Sequence, residues 1–593
     1  FTATTPMRFE IGTLQNAQGS QRIKGLLSAR RPCSNRVLPS SGSVGQYRTR
    51  TRPGETPLQF KAPGWTRRQL LSRGAAFAVA SNFSLEPTLI TRAFGESVPD
   101  LAKDPRRPQF HLLPAANWMN DPNGPIYWKG KYHMFFQYNP HGAYWGDMHW
   151  AHAVSPDMVH WQHLPVALSP TPGGPDQDGC FSGSAVVING VATFIYTGVV
   201  TVPKEEATLR DGNSNLRETQ CIATCDQPLL NAWAKLPKPV IPTPPPSLEV
   251  TGFRDPCPWS LGPWRHGDWW YLNVGSGVRG KGGMILLYRS KDFHHWEYLH
   301  PLVEGTMPTS SVNANIANPV DSGEMWECPD FFALGDKHVL IYSTQGKVFW
   351  QSGKLDAASM RFEPEHTGVL DHGSYYAPKT QLDRDGNRIL WGWLPELRPV
   401  QEYRAAGWAG MMSLPRVLSL NSGGMLEMRV LPGVETLRGR EQILKQTGTD
   451  KGNQEQISAM RLGDCCGEIL CTTLSKERFA FSLYLEDASQ PTGRELVKAE
   501  WNPDTRKLSF GGTGTAIDLD EKRLELKMYV DGSVIEFFAN GLYAHTTRFY
   551  YSGDRAPEIC VAIGGRTEDI ERLSVWQIDP ISSDRLTRDN YRS

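Results

Sequence analysis

Short apolar runs, most of them alternating with polar residues, recur along almost the whole chain after residue 105. Gly, Pro, Asp and Asn separate the runs, and helical periodicity is nearly absent. Examples are YHMFFQY (132–138), TFIYTG (193–198), WWYLNVG (269–275), HVLIYST (338–344) and RILWGWL (388–394). This pattern is typical of many short β-strands, so the sequence predicts an all-β protein.

One internal similarity indicates repeated units. SPDMVHWQHL (155–164) and SKDFHHWEYL (290–299) share Ser, Asp, His, Trp and Leu at the same offsets. Four-stranded units repeated around an axis form a β-propeller. A single similarity favours that architecture without giving the number of blades.

The pattern of apolar and charged residues changes after residue 420. A short strand and then a charged stretch predict a linker at 421–454. Beyond it, alternating runs such as LELKMYVDGSVIEFFANG (524–541) predict a half-buried antiparallel sandwich. We therefore expect a large β domain at 106–420 and a β-sandwich at 455–580.

Charge is balanced overall and unevenly distributed. The 593 residues include 62 basic and 62 acidic ones, which predicts neither a nucleic-acid nor a membrane partner. Residues 1–75, however, hold thirteen Lys or Arg and two acids. Residues 1–65 lack apolar periodicity and predict a disordered basic segment. Because no Met lies between Met7 and Met119, we expect that part of 1–65 is not native, or that translation starts at another codon.

Residues 66–95 predict an export signal. Arg67 and Arg68 precede a short apolar run in TRRQLLSRGAAFAVAS (66–81), as in bacterial twin-arginine signals. The run is too short to span a membrane. The expected location is periplasmic or extracellular, with a basic amphipathic segment of no targeting role as the alternative.

The ten cysteines show no metal-ligand spacing, so the sequence predicts neither a metal nor a cofactor. Cys465, Cys466 and Cys471 lie close together in the sequence. A disulfide in an exported protein and buried free thiols both fit this cluster.

Three stretches of the large β domain hold a carboxylate beside proline and aromatic residues. They are WMNDPNG (118–124), GFRDPCPW (252–259) and MWECPDFF (325–332). Their composition predicts turns between buried strands, and an acid before proline predicts an extended backbone. Each stretch alone fits a structural turn. If the strands radiate from one axis, however, the three turns converge on one mouth of a propeller.

Such a mouth would suit cleavage of a glycosidic bond, which needs two carboxylates. One attacks the sugar or activates water, and the other protonates the leaving oxygen. Arg254, beside Asp255, would hold a substrate hydroxyl or keep its neighbour ionised. A surface salt bridge is the plainer interpretation of that arginine.

WMNDPNGP, FRDP and WECPD, in this order, resemble the three signature motifs of glycoside hydrolase family 32, the invertases, levanases, inulinases and fructan exohydrolases. Other similar stretches are FFQYNP (135–140), DGCFSGSAV (178–186), YYAPKT (375–380) and GWAGMMSLPR (407–416). The resemblance covers about residues 106–580. It implies a five-bladed β-propeller followed by a C-terminal β-sandwich, and a retaining β-fructofuranosidase without cofactor or metal.

The resemblance also implies residue roles. Asp121 would be the nucleophile of a covalent fructosyl–enzyme intermediate, Glu327 the general acid and then base, and Asp255 a stabiliser of the transition state. The implied fructose pocket comprises Trp118 as an aromatic wall, Asn120, Gln137, Trp145, Phe181, Ser182 and Arg254. Donors such as Asn120 would favour the ionised nucleophile. Apolar neighbours and like charges would favour a protonated Glu327.

Retention would place the carboxyls of Asp121 and Glu327 about 5–5.5 Å apart, against roughly 6.5–9.5 Å for an inverting enzyme. That separation distinguishes the family from an inverting arabinan- or xylan-side-chain hydrolase with a related propeller. A carbohydrate-binding protein that has lost its acids is a further alternative, although all three acids are present. Sucrose hydrolysis, fructan hydrolysis and fructosyl transfer share these acids and stay open.

Overall fold

The computed structural model describes residues 100–588 apart from 213–214, 263–266, 307–317, 475, 488–489 and 517–522. The segments expected at 1–65 and 66–95 lie outside the described residues. The described residues are mostly in strands, as the alternating runs predict, and these strands form seven sheets. The α-helices of this part are short: α1 (Pro319–Ser322), α2 (Val400–Ala406) and α3 (Asp450–Ser458). Its 3₁₀ helices are Leu101–Lys103, Lys204–Glu206, Pro432–Leu437, Gly463–Cys465 and Thr567–Asp569.

Five sheets are the blades of a propeller, so the predicted architecture is confirmed. Blade 1 contains β1 (Asn117–Trp128), β2 (Lys131–Asn139), β3 (His149–Ser155) and β4 (Gln162–Leu168). Blade 2 contains β5 (Gly179–Ile188), β6 (Val191–Thr201), β7 (Leu216–Cys225) and β8 (Ala234–Lys235). Blade 3 contains β9 (Val250–Trp259), β10 (Trp270–Val278), β11 (Gly282–Ser290) and β12 (Glu297–Glu304).

The fourth and fifth blades complete the ring. Blade 4 contains β13 (Glu327–Leu334), β14 (Lys337–Thr344), β15 (Lys347–Asp356) and β16 (Arg361–Asp371). Blade 5 contains β17 (Tyr376–Leu382), β18 (Arg388–Leu394), β20 (Met411–Met412), β21 (Arg416–Leu420) and β22 (Leu426–Val430), while β19 (Trp408–Ala409) joins blade 1. The first strand of each blade contacts the first strand of the next, and β17 contacts β1. These five inner strands therefore surround the axis.

The ring closes through the parallel pairing of β19 with β1. Gly410, which directly follows β19, has φ +78°, and a Cβ there would lie 2.0 Å from the carbonyl oxygen of Met119. Only glycine allows the last blade to approach the first so closely.

The internal similarity marks the same turn in two blades. SPDMVHWQHL joins β3 to β4, and SKDFHHWEYL joins β11 to β12. In both turns the aspartate, Asp157 or Asp292, accepts two backbone N–H groups and pairs with the histidine three residues later. The shared residues are therefore those that fix this turn.

The three acid motifs lie inside the inner strands β1, β9 and β13, so the prediction of surface turns is wrong. The Pro, Gly, Asn and Asp residues of these motifs are typical of turns, but they are also typical of a bulged strand at the edge of a sheet. The second edge of each inner strand faces the axis and is hydrogen-bonded to no other strand of the described residues, except that β1 pairs with β19 over two residues. Proline, which donates no backbone hydrogen bond, is tolerated there.

The C-terminal part is a β-sandwich of two six-stranded sheets. One contains β23 (Arg438–Ile443), β25 (Cys466–Leu474), β30 (Arg523–Asp531), β31 (Val534–Ala539), β32 (Tyr543–Arg548) and β34 (Ile570–Ile578). The other contains β24 (Arg461–Leu462), β26 (Phe479–Asp487), β27 (Gln490–Asn502), β28 (Lys507–Phe510), β29 (Thr513–Ala516) and β33 (Ile559–Gly565). Apolar side chains between the sheets, such as Phe481, Phe537 and Val575, form its core.

The stretch expected as a linker at 421–454 is largely part of the two domains. β22 pairs with β21 in blade 5, and β23 pairs with β34 in the sandwich. The propeller thus continues to Val430 and the sandwich begins at Arg438. The sequence did not predict these two strands because both lie at sheet edges, where charged residues are exposed and the apolar pattern is weak.

A buried charge network joins the sandwich to the propeller. His111 lies 2.8 Å from Asp531 and 3.0 Å from Glu536, one carboxylate at each ring nitrogen. Arg416 pairs with Glu536 at 2.6 Å and with Asp371 at 2.9 Å. Because carboxylates only accept hydrogen bonds, His111 donates from both nitrogens and is therefore protonated.

Two further findings concern the described residues alone. None of their helices is long and apolar enough to cross a membrane. Their nine cysteines are all free, so the cluster at 465–471 consists of buried thiols.

Candidate active site

The bulged parts of the inner strands surround a cavity of about 380 Å³. Nine of the ten predicted site residues line it: Asn120, Asp121, Gln137, Trp145, Phe181, Ser182, Arg254, Asp255 and Glu327. The exception is Trp118, which is 8% exposed and packs behind the wall against Trp393 and Tyr403. Its Nε1 donates to Asn120 Oδ1 at 2.7 Å, so Trp118 orients Asn120 and is not itself the expected aromatic wall.

Each inner strand has a register shift at the residues that face the cavity. The five bulges share one pattern, in which a cavity residue precedes a small or acidic residue and then proline or glycine. They are Asn120–Pro122, Phe181–Gly183, Arg254–Pro256, Glu327–Pro329 and Tyr376–Pro378. A bulge re-aims side chains out of the regular alternation, which lets two successive residues serve the site.

Three of the bulges have a left-handed backbone at the residue before proline. The φ angles are +65° at Asp255, +49° at Cys328 and +50° at Ala377. The extended backbone predicted for an acid before proline is therefore wrong for Asp255. Such conformations cost roughly 1–3 kcal/mol each and persist where neighbours fix them. Here the amide of Asp255 donates to Thr197 Oγ1 at 3.0 Å, and that of Cys328 donates to Asp255 Oδ2 at 2.9 Å.

Asp121 receives hydrogen bonds on both oxygens. Asn120 donates to Oδ1 at 3.0 Å, and Ser182 donates to Oδ2 at 2.6 Å. These bonds favour the ionised form, as expected, but burial is the larger effect and raises the pKa of Asp121 above its usual range. The negative charge of Glu327 acts in the same direction.

Asp255 is 3% exposed, and burial raises its pKa to about 7, opposed by the nearby charge of Arg254. Cys328 connects it to Asp121, because the thiol lies 3.4 Å from Asp255 Oδ2 and 3.5 Å from Asp121 Oδ2. Burial therefore disfavours the ionised form of Asp255. It can accept hydrogen bonds from sugar hydroxyls when it is ionised.

Glu327 is held by two residues from neighbouring blades. Arg254 donates from Nε and Nη2 to Oε1 at 3.0 and 2.9 Å, and the Tyr376 hydroxyl donates to Oε2 at 2.9 Å. The sequence predicted an apolar, like-charged environment that favours the protonated acid. The structure instead places the positive charge of Arg254 directly against this carboxylate.

Sequence analysis did not find Tyr376 or Glu218, both of which line the cavity. A signal for Tyr376 was present, since YAP repeats the pattern of RDP and ECP. Glu218 has no local signal, because it stands in an ordinary strand and reaches Arg254 only through the fold, at 3.0 Å. Trp145, at 59% exposure, and Phe181 meet edge to face at the rim.

Over the described part of the chain, no group of three or more His, Cys, Asp or Glu side chains could hold a metal ion. The cavity offers instead one guanidinium, hydroxyl and amide groups, and five carboxylates, those of Asp121, Asp211, Glu218, Asp255 and Glu327. This donor set suits a sugar whose hydroxyls both donate and accept.

The comparisons with known proteins agree with this geometry. Residues 111–429 match the model of the glycosyl hydrolases family 32 N-terminal domain, and residues 434–577 match that of the family 32 C-terminal domain. The chain belongs to glycosyl hydrolase family 32. It is therefore a glycoside hydrolase, and its relatives support β-fructofuranosidase activity.

Three relatives within family 32 are informative. The sucrose-6-phosphate hydrolase of Escherichia coli is 40% identical over 79% of this chain and 94% of its own length. The β-fructofuranosidase BmSUC1 of Bombyx mori, solved as a point mutant in complex with sucrose, is 27% identical over 81% of this chain and 96% of its own, with TM-score 0.64. The fructan 1-exohydrolase IIa of Cichorium intybus, solved with 1-kestose, is 25% identical over 80% and 98%, with TM-score 0.62.

Proposed function

We propose that this family 32 protein hydrolyses the terminal β-D-fructofuranosyl residue of sucrose with retention of configuration. One observation supports this most strongly. Two carboxylates with different partners face the same cavity: Asp121 is bound by neutral donors, and Glu327 by a cation and a phenol. Different environments give two carboxylates different roles.

In the first step a carboxylate oxygen of Asp121 attacks C2 of the fructosyl residue. Glu327 gives its proton to the glycosidic oxygen as the C2–O bond breaks, and glucose leaves. In the second step Glu327 takes a proton from water, which attacks C2 and releases fructose and the Asp121 carboxylate. Asp255 accepts hydrogen bonds from fructose hydroxyls, which stabilises both transition states.

The cavity walls favour sucrose over sucrose 6-phosphate. A second cavity of about 520 Å³ adjoins the first and shares Arg254, Asn318, Glu327, Tyr376 and Trp393 with it. Arg254 is the only cation among the described residues that line the two cavities, and two carboxylates already occupy it. A phosphate would therefore meet no free cation among the described lining residues, although the E. coli relative is named for that substrate.

Fructan is the second candidate substrate, because the adjoining cavity offers space for a leaving group larger than glucose. It extends past Gly373 and Leu397, where the propeller meets the sandwich residues Thr546 and Tyr550. The chicory relative solved with 1-kestose supports this candidate. Inulin and levan are the polymers to compare.

The test is release of fructose from sucrose, sucrose 6-phosphate, inulin and levan by the wild type and two variants. Asp121→Asn lowers the rate on every substrate by roughly 10⁴-fold, because the nucleophile is lost. Asp385→Asn, an exposed acid of blade 5, keeps the wild-type rate. Retention yields methyl β-fructofuranoside in methanol–water mixtures, and the α anomer would contradict it. Wild type inactive on all four substrates would overturn the proposal.

We also propose that residues 66–95 direct export, on the strength of Arg67 and Arg68 before the apolar run. Residues 60–100 fused to a reporter that is active only outside the cytoplasm provide the test. The fusion is exported, and the pair Arg67→Lys with Arg68→Lys abolishes export. A reporter exported equally well with both lysines contradicts the assignment.

A further inference from the structure

Glu218 is a completely buried carboxylate that contacts Glu327 only through Arg254. It lies on β7 of blade 2, and its side chain has no exposed surface. Its Oε1 pairs with Nη1 of Arg254 at 3.0 Å, while Nε and Nη2 of the same guanidinium bind Glu327 Oε1. One cation is therefore shared between two carboxylates.

The second oxygen of Glu218 has a separate, structural role. Oε2 accepts the backbone N–H of Phe253 at 2.6 Å. Beside it, Gln220 donates to the Phe253 carbonyl at 2.8 Å, and Thr197 accepts the N–H of Asp255 at 3.0 Å. Side chains of blade 2 thus bind the backbone of β9 that carries Arg254 and the strained Asp255. Gln220 takes part in this binding without any charge.

We propose that Glu218 is a positioning residue that divides the charge of Arg254, so that Glu327 keeps the proton it must give to the leaving group. The inference rests on the role of Glu327 in the proposed function. A guanidinium that served Glu327 alone would hold it as a carboxylate, which cannot act as an acid. A second carboxylate on the same guanidinium offsets this effect.

The other charged and titratable groups around the pair are few. Tyr376 from blade 5 donates to Glu327, and Asp121 from blade 1, Asp255 from blade 3 and the adjacent Cys328 also face the cavity or its floor. Asp211 and Asp321 also line the two cavities, and the buried Lys379, which donates to the Pro329 carbonyl, is a second positive charge that acts on Cys328 and Asp255. Among the described residues, Arg254 is the only cation within ion-pair distance of either Glu218 or Glu327. Arg254 is therefore the cation through which Glu218 acts on Glu327.

The test is the pH dependence of kcat/KM for sucrose, whose alkaline limb reports loss of the acid's proton in the free enzyme. In Glu218→Gln, nearly isosteric and uncharged, the limb moves to lower pH by about one unit, because Arg254 then serves Glu327 alone. Glu218→Asp, whose carboxylate is one methylene further from the guanidinium, gives a smaller shift in the same direction. If Glu218→Gln does not fold, Glu218→Asp decides the matter by itself.

Gln220→Ala is the matched control, since it loosens the same backbone without changing charge. It lowers thermal stability and leaves the alkaline limb in place. Uniformly lower rates with an unmoved limb in the folded Glu218 variants, or an equal shift in Gln220→Ala, would overturn the inference and show a structural role only. A wild type without activity on sucrose would instead overturn the proposed function.

Discussion

Two buried groups of carboxylates in this protein differ in their titration. In the active site Asp255 is 3% exposed and has a pKa raised to about 7, mainly by burial. At the propeller–sandwich interface Asp371 and Glu536 are at most 1% exposed, and both have a lowered pKa despite their burial. Burial alone therefore does not decide the direction of the shift.

The partners explain the difference. Asp371 is paired directly with Arg416 and accepts hydrogen bonds from the N–H and hydroxyl of Thr546. Asp255 has the amide and thiol of Cys328, and its neighbours Asp121 and Glu327 are themselves acidic. The interface has enough cations and donors for its carboxylates, whereas the active site has too few. Carboxylates that line a cavity and lack enough cations and hydrogen-bond donors have perturbed pKa values, which is typical of catalytic sites.

Among tests of this contrast, Asp255→Asn has the largest expected effect, because it removes one uncompensated charge from the active site. Sucrose hydrolysis falls by roughly 10³-fold, because stabilisation of the transition state is lost. The midpoint of thermal unfolding at pH 8 rises by about 2 °C, because the amide carries no buried charge. A lower midpoint in the variant would show that Asp255 stabilises the fold and would remove the contrast.

Arg416→Met tests the interface, since it leaves Asp371 and Glu536 without their cation. The free energy of unfolding falls by about 3–5 kcal/mol, as in other buried pairs that lose one partner. Urea unfolding measures the loss. Arg289→Met, which breaks the exposed pair with Glu297, is the control and costs at most about 1 kcal/mol. Equal effects of the two variants would contradict the assigned role of the network.

His111 gives the interface a pH dependence, because its two hydrogen-bonded carboxylates outweigh burial and raise its pKa to about 9. Since this folded pKa exceeds the unfolded value of about 6.5, the stabilisation is complete below pH 6.5 and is lost as the pH rises from 6.5 to 9. The loss amounts to at most about 3 kcal/mol. Unfolding of the wild type and His111→Gln, compared at pH 6 and pH 9, measures it.

The buried histidines of blade 1 do not obscure that measurement. Burial lowers the pKa of His133 and of His163 to about 4. Their stabilisation is present above pH 6.5 and is lost as the pH falls from 6.5 to 4, in a separate window. If the free energy of unfolding of His111→Gln changes between pH 6 and pH 9 as much as that of the wild type, the pH dependence does not come from His111.

The smallest expected effect is that of Ser182→Ala, which removes the 2.6 Å hydrogen bond to Asp121. Because that bond lowers the pKa of Asp121, its loss raises the pKa further, and the acidic limb of kcat/KM moves to higher pH by about 0.5–1 unit. Ser184→Ala on the same strand, whose hydroxyl donates to the Pro256 carbonyl, leaves the limb in place. A limb unmoved by Ser182→Ala would mean that burial alone sets the titration of Asp121.

Much of the fold followed from local pattern, and the errors have a common origin. Alternation predicted the strands and the sandwich, the internal similarity favoured a propeller, and the resemblance to family 32 implied five blades followed by a sandwich. The acid motifs were assigned to turns because a bulged strand with a free edge tolerates the residues that turns favour. Trp118 was assigned to the pocket wall because its position in the sequence does not show that it packs behind Asn120.

The sequence by itself determined the strand content and the two β domains, and its motifs predicted the three acids, because alternation and short motifs are local properties of a chain. Only the tertiary structure decided which groups compensate one another. It brought Glu218, Arg254 and Glu327 together from three blades, and His111, Glu536 and Arg416 together across two domains. Electrostatic energies depend on distances in space, and residues 36 to 425 positions apart become neighbours only when the blades and the sandwich pack together.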